Sequence, residues 1–225
     1  MKRCFLLLFL ALAFALQGYD FLILGDTHYD SPDVRAPNIT LNPGRAKEYK
    51  RNLDRWSKNI PSMLKAAGKR SGEQIDFVVQ LGDLTQGDCG AQNLQEKSFR
   101  NAVAAIRKEM KAPFYAVKGN HDIRGKGAQD AYINVMIPYL EKVLKTPPAV
   151  KKTGHFVLKH KKDLFFFFDS IKPDVAYVEK ALAENPDVRY VFFMTHLPVL
   201  PCVGGNPSWI VFGSPKQNAE RQKLL

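Results

Sequence analysis

The chain has 225 residues, 45% of them hydrophobic, with 33 Lys and Arg against 22 Asp and Glu and a net charge of +11. That length and apolar content support one domain with a sizeable core and exclude a disordered or low-complexity chain. The charge favours anionic partners, but the basic residues are spread without interleaved aromatic residues, which argues against a nucleic-acid track.

Lys2 and Arg3 precede an unbroken apolar run from Cys4 to Leu16, with small residues at Ala13 and Ala15 near its end. The run is too short to span a bilayer and fits the core of an export signal. Residues 1–18 are therefore expected to leave as a signal peptide on export to the periplasm or the cell exterior. A domain of residues 19–225 remains, with no stable membrane span. Cys4 would leave with the signal, so Cys89 and Cys202 remain as an even pair in an oxidising compartment.

Five apolar runs then read as strands: Phe21-Leu24, Phe77-Leu81, Phe114-Val117, Leu164-Phe168 and Tyr190-Met194. They are continuous rather than alternating, which predicts burial on both faces. Between the first three lie helical patterns. Ala46, Tyr49, Leu53, Trp56, Ile60, Met63 and Ala67 step by three and four, with Pro61 expected to kink or restart the helix. Phe99, Val103, Ile106 and Met110 repeat the pattern, and a third helix is predicted from Tyr132 to Val143 around Pro138. Strand and helix in alternation predict an α/β fold with a parallel sheet. Thr153 to Ser170 differs: two apolar stretches flank Lys159-His160-Lys161-Lys162-Asp163 and predict a hairpin, with His155 and His160 expected at the surface.

Each strand runs into polar residues. Gly25-Asp26-Thr27-His28, Gly82-Asp83, Gly119-Asn120-His121-Asp122, Asp169-Ser170 and Thr195-His196 follow the five runs in turn. In open α/β sheets ligands bind beyond the carboxyl ends of the strands. Any one of these pairs is also a good turn or helix cap. Together they bring His, Asp and Asn to one edge, a donor set that suits zinc, iron or manganese.

GDTH, GDLTQGD, GNHD and TH, each after a strand and in that order, resemble the motifs of the calcineurin-like metallophosphoesterases. The resemblance spans Tyr19 to the C-terminus and implies a β-sandwich flanked by helices with two metals at one end. By the resemblance, Asp26 and His28 bind the first metal, Asp83 bridges both, and Asn120 and His196 bind the second. It implies a phosphatase or phosphodiesterase acting on a small phosphoester, with a metal-bound hydroxide as nucleophile. His121 is the implied general acid, with Asp122 orienting its ring. Gln86 stands where the related purple acid phosphatases have a tyrosine. No arginine follows the second motif between Leu84 and Gly90, unlike the protein Ser/Thr phosphatases. These departures point to a broad, exported branch.

The family closes its site with Gly-His-x-His, and no histidine follows His196. The expectation is a domain incomplete at its C-terminus. The second reading is a weakly metal-binding or inactive scaffold. The motif layout puts Cys89 and Cys202 in rim loops, where a disulfide between them is expected, and places Trp209 and Phe212 at the rim or in the core.

Overall fold

The computed structural model describes residues 18–71, 75–145, 154–201 and 210–225. The segment read as a signal lies outside them except for Gly18, as do Cys202 and Trp209. Among the described residues no helix is long and apolar enough to cross a membrane.

Strands β1 (Asp20–Leu24), β2 (Ile75–Gln80) and β3 (Phe114–Ala116) form a parallel sheet in that order. Strands β4 (Phe156–His160), β5 (Asp163–Phe168) and β6 (Val191–Thr195) form the second sheet. There β4 pairs antiparallel with β5 through the expected hairpin, and β6 runs parallel to β5. The predicted runs match these strands to within one or two residues.

Helix α1 (Pro43–Lys58) starts where the Asn42 side chain accepts from the Arg45 N–H at 2.9 Å, with proline early in its first turn. It stops at Asn59, and α2 (Ile60–Ser71) restarts with Pro61 in its first turn, where the missing N–H costs least. Helix α3 (Gln92–Glu109) follows β2. The third predicted helix is composite: α4 (Ala128–Ala131), a π turn over Tyr132–Met136, then α5 (Ile137–Leu144). The π turn lets Pro138 enter at the start of α5 rather than mid-helix. Two short helices, α6 (Val175–Ala183) and α7 (Asn218–Gln222), complete the chain.

The apolar residues bury in three clusters that define the layers. The first lies between the β1-β2-β3 sheet and α1 to α3, built on Trp56, Leu64, Val78, Phe99 and Ile106. The second lies between the sheets. Phe165 stands edge-on to Phe77 at 4.8 Å and to Phe21 at 5.1 Å between ring centres, and stacks on Phe192 at 4.6 Å. The third covers the outer face of the second sheet, where Phe166 and Phe168 meet Ala181 and Val211. Phe212 packs against this third cluster. The result is the sandwich flanked by helices that the motifs implied.

Two expectations are corrected here. Burial on both faces holds for β3 and β5, but Ile23 in β1 is 48% exposed and Val191 in β6 is 45% exposed. Both sit on outer strands; β3 is an outer strand too, but α5 packs against it, and the local sequence encodes neither strand order nor helix cover. His155 is not at the surface: it is fully buried, with Nδ1 accepting from the Asp169 N–H at 3.0 Å and Nε2 at 2.9 Å from the Lys172 carbonyl. His160 is half-buried, with Nε2 3.0 Å from an Asp76 oxygen and its ring edge-on to Tyr19.

The start of β5 carries an acid-sensitive tie. The buried Asp163 carboxylate takes two hydrogen bonds from Arg189, at 3.0 and 2.7 Å, and one from the Tyr19 hydroxyl at 2.6 Å. Arg189 first, then Tyr19, holds this carboxyl down at about 2. A carboxyl depressed on folding stabilises the fold above its unfolded value of ~3.9, and that stability fades as pH falls towards the folded value. Arg189→Met is therefore expected to unfold at a higher pH than the parent in an acid titration followed by circular dichroism. Superimposable acid curves would rule the tie out.

Candidate metal centre

Backbone pairing does not stop at the ends of β1 and β2. The N–H groups of Asp26, His28 and Tyr29 donate to the carbonyls of Gly82, Asp83 and Leu84 at 3.3, 2.9 and 2.8 Å. The first two motif loops thus run alongside each other, which sets Asp26 and His28 beside Asp83. Asp26, His28 and Asp83 all have left-handed backbones, with φ of 48°, 43° and 51°. That region is disfavoured for residues with a Cβ, and such strain concentrates at functional sites.

Asp83 is the hub. One carboxylate oxygen accepts from the His121 N–H at 2.8 Å and lies 3.5 Å from His196 Nε2. The other lies 3.7 Å from His28 Nε2 and 3.9 Å from His121 Nε2. Asp26 approaches His28 Nε2 at 3.7 Å from the solvent side. The third motif packs directly on this carboxylate, because a Cβ on Gly119 would overlap the Asp83 backbone.

His196 arrives from the other sheet. Its Nδ1 is 2.9 Å from the Leu81 carbonyl, so Nδ1 carries the proton and Nε2 presents a bare lone pair. That lone pair faces Asn120 Oδ1 at 3.0 Å and Asp83 at 3.5 Å. Three electron-rich atoms pointing at one another suit a shared cation. A Cβ on Gly82, itself at φ 88°, would collide with the His196 ring. Two sets of donor atoms lie within 4.8 Å of one another: His28, Asp83 and His121, and Asp26, Asp83 and His196. His28 Nδ1 is buried without a protein partner. Imidazole, carboxylate and amide oxygen donors in this arrangement fit transition metals.

The electrostatics agree. Burial, then the neighbouring Asp122, pushes the Asp83 carboxyl up to about 6. Burial, the Arg124 guanidinium and His28 push the His121 ring down to about 4. Asp26 shifts the other way, its carboxyl held down by the His28 hydrogen bond. A bound cation would favour the ionised form of both carboxyls and the neutral form of the imidazole.

All seven residues singled out in the sequence lie in this one cluster, but Asp122 does not touch the His121 ring. Its oxygens accept from the Thr85 and Gly119 N–H groups, both at 2.9 Å, and so tie the second and third motif loops together. The ring is oriented instead by the Gln86 carbonyl, 3.0 Å from Nδ1. The cause is local geometry: the tight turn after Gly119 folds Asp122 back under the loop.

Several supporting residues were not foreseen. Arg124 Nη1 is 3.0 Å from His121 Nε2, while the rest of its guanidinium meets Glu48 at 3.0 Å and Asp88 at 2.8 Å. Asn52 bonds the Gln86 side chain, and the Trp56 indole donates to the carbonyls of Thr27 and His28. Glu48, Asn52 and Trp56 recur every four residues on α1, so this inward polar stripe was readable in the sequence. Arg124 lies in a loop and had no such signal. Cys89 is buried in the second motif loop, its thiol pushed up to about 12 by burial. Its expected partner, Cys202, lies outside the described residues.

The family model described as calcineurin-like phosphoesterase matches residues 19–214. The chain belongs to that family. Among solved structures, it is similar to a dimetal phosphatase from Danio rerio at 13% identity, with a TM-score of 0.56 over 92% of this chain and 77% of that one. At that identity the likeness is one of fold. A purple acid phosphatase from seeds of yellow lupin (Lupinus luteus) is similar at 15% identity and a TM-score of 0.46, over 81% of this chain. This chain spans only 31% of that protein's length. No curated protein matches the chain. Within the calcineurin-like phosphoesterase family, this member places Gln86 and Arg124 around His121, where they fix the ring from both sides.

Proposed function

We propose that the chain hydrolyses phosphoesters with two transition-metal ions, iron, manganese or zinc. The observation that carries this reading is the meeting of Asp26, His28, Asn120 and His196 around the single carboxylate of Asp83. Asp26 and His28 would hold one ion, Asn120 and His196 the other, and Asp83 both. When bound, such ions supply Lewis acidity to the phosphate and an acidified water. The exposed side of Asp26 leaves the site open to a small substrate.

His121 is the group placed to handle the leaving oxygen. As water adds to phosphorus it gives up a proton. Nε2, bare at rest because the ring resists protonation, takes one up beside the anionic substrate and passes it to the alkoxide as the ester P–O bond breaks, which leaves the ring neutral again. Its Nδ1–H remains on the Gln86 carbonyl and keeps the ring in plane. Nε2 cannot carry that proton while it accepts from Arg124, so the guanidinium must move off Nε2 first. Glu48 and Asp88 hold Arg124 from the far side and give it a place to remain.

The test is hydrolysis of a nitrophenyl phosphodiester, stimulated by Mn or Zn and abolished by a chelator. Chelator-insensitive turnover would sink the proposal. His121→Gln should cost little on nitrophenyl esters, whose leaving group needs no proton. On simple alkyl esters it should cost ~10²–10⁴-fold, the usual worth of general acid catalysis. Equal losses on both ester types would remove His121 from that role.

A further inference from the structure

The two groups assigned to the second metal stand on different sheets. Asn120 follows β3 and His196 follows β6, yet their facing atoms are 3.0 Å apart. Sheet-on-sheet packing through interdigitated rings does not by itself set a distance between two loops.

A buried ion pair spans the same gap just beneath. Lys118, two residues before Asn120, places its ammonium against Asp169 at the end of β5. The two side chains are 0% and 1% exposed. Lys118 also lies over the Tyr132 ring, 5.4 Å from its centre. Asp169 is fixed in turn. Its carboxylate accepts from the N–H groups of Ile171 and Lys172 at 2.9 and 3.2 Å, and its own N–H donates to the buried His155. The next residue, Ser170, accepts at Oγ from the Leu197 N–H at 3.2 Å. Leu197 directly follows His196. The contacts therefore run Lys118, Asp169, Ser170, Leu197, from the Asn120 loop to the His196 loop.

A buried ion pair is a poor source of stability, because desolvation opposes its attraction and an apolar pair of similar volume serves a core as well. What it supplies is one allowed geometry. We propose that Lys118 and Asp169 are positioning residues, a strut between the sheets that sets the Asn120–His196 spacing and thereby the affinity of the second metal. This rests on the two-metal reading above.

The experiment is Mn(II) titration of the full chain by calorimetry, with metal content measured in parallel. The unaltered chain should bind two Mn(II); one or none would defeat the two-metal reading itself, separately from the strut. Given two, the variants K118M/D169L and D169E are compared with it. The first replaces the pair with apolar side chains, and the second keeps the charges but lengthens the strut by one methylene. Each should retain the first Mn(II) unchanged and bind the second ~10–100-fold more weakly, the usual effect of losing a group that orients metal ligands. A folded variant with both affinities unchanged, or with both weakened equally, overturns the proposal. Failure of both variants to fold also overturns it, because the pair would then serve the fold rather than the spacing.

Discussion

Asp83→Asn is expected to lower kcat at least ~10³-fold, equivalent to about 4 kcal/mol in the barrier, and to strip the chain of the two metals proposed above. The substitution keeps shape and volume, so its effect is chemical. The carboxylate faces His196 with one oxygen and His28 and His121 with the other. An amide oriented one way puts its NH₂ against the His121 N–H, and oriented the other way it donates into an imidazole lone pair. Neither orientation can join two cations. The fold should survive. Asp83 is buried beside Asp122, which already disfavours its ionised form, so a neutral amide removes a repulsion. The chelator-treated variant should melt no lower than the chelator-treated parent. Metal content by mass spectrometry and turnover of a phosphodiester decide the matter. A variant that keeps two metals and half its activity would remove Asp83 from the centre of the mechanism.

Phe165→Ala should be the most damaging single truncation of the core. The ring is fully buried and touches Tyr19, Phe21, Phe77 and Phe192, so it joins its own strand β5 to β1, β2 and β6 across two sheets. Loss of a buried phenyl costs ~3–5 kcal/mol, including the cavity left behind. For a chain of this size that lowers Tm on the order of 10 °C. Leu182→Ala is the control: the side chain is 40% exposed, and the change should fall within ~0.5 kcal/mol. Thermal unfolding of the two variants side by side is the measurement. A Phe165→Ala protein as stable as the Leu182→Ala protein would mean that the sheets are held together elsewhere.

The candidate site residues were legible because they are punctuation. Each follows an apolar run, and the polar residues after Leu24, Leu81 and Met194 stand out without knowledge of any contact. The strands and the break at Pro61 were legible for the same reason, since local backbone chemistry decides them, whereas the region around Pro138 read as one helix and is a π turn between two. What the sequence hid depends on sheet order and on docking. Ile23 and Val191 look like core residues, and strand order together with helix packing, not their local sequence, exposes them. His155 looks like a hairpin flank, and only the return of Asp169 past it seals it in. Asp122 was assigned to its neighbour's ring by adjacency, whereas the turn sends it to Thr85, 37 residues away in the chain. Arg124 carries no periodicity, and its role follows from three partners on three separate segments.

The left-handed backbones at Asp26, His28 and Asp83 separate two design goals. Each costs roughly 1–2 kcal/mol that glycine would avoid. A protein engineer asked only for a tougher scaffold would begin by replacing these three residues, and each replacement would discard a donor atom. Durability and metal capture therefore have different best sequences in this fold, and the natural chain keeps the strained choice at all three positions.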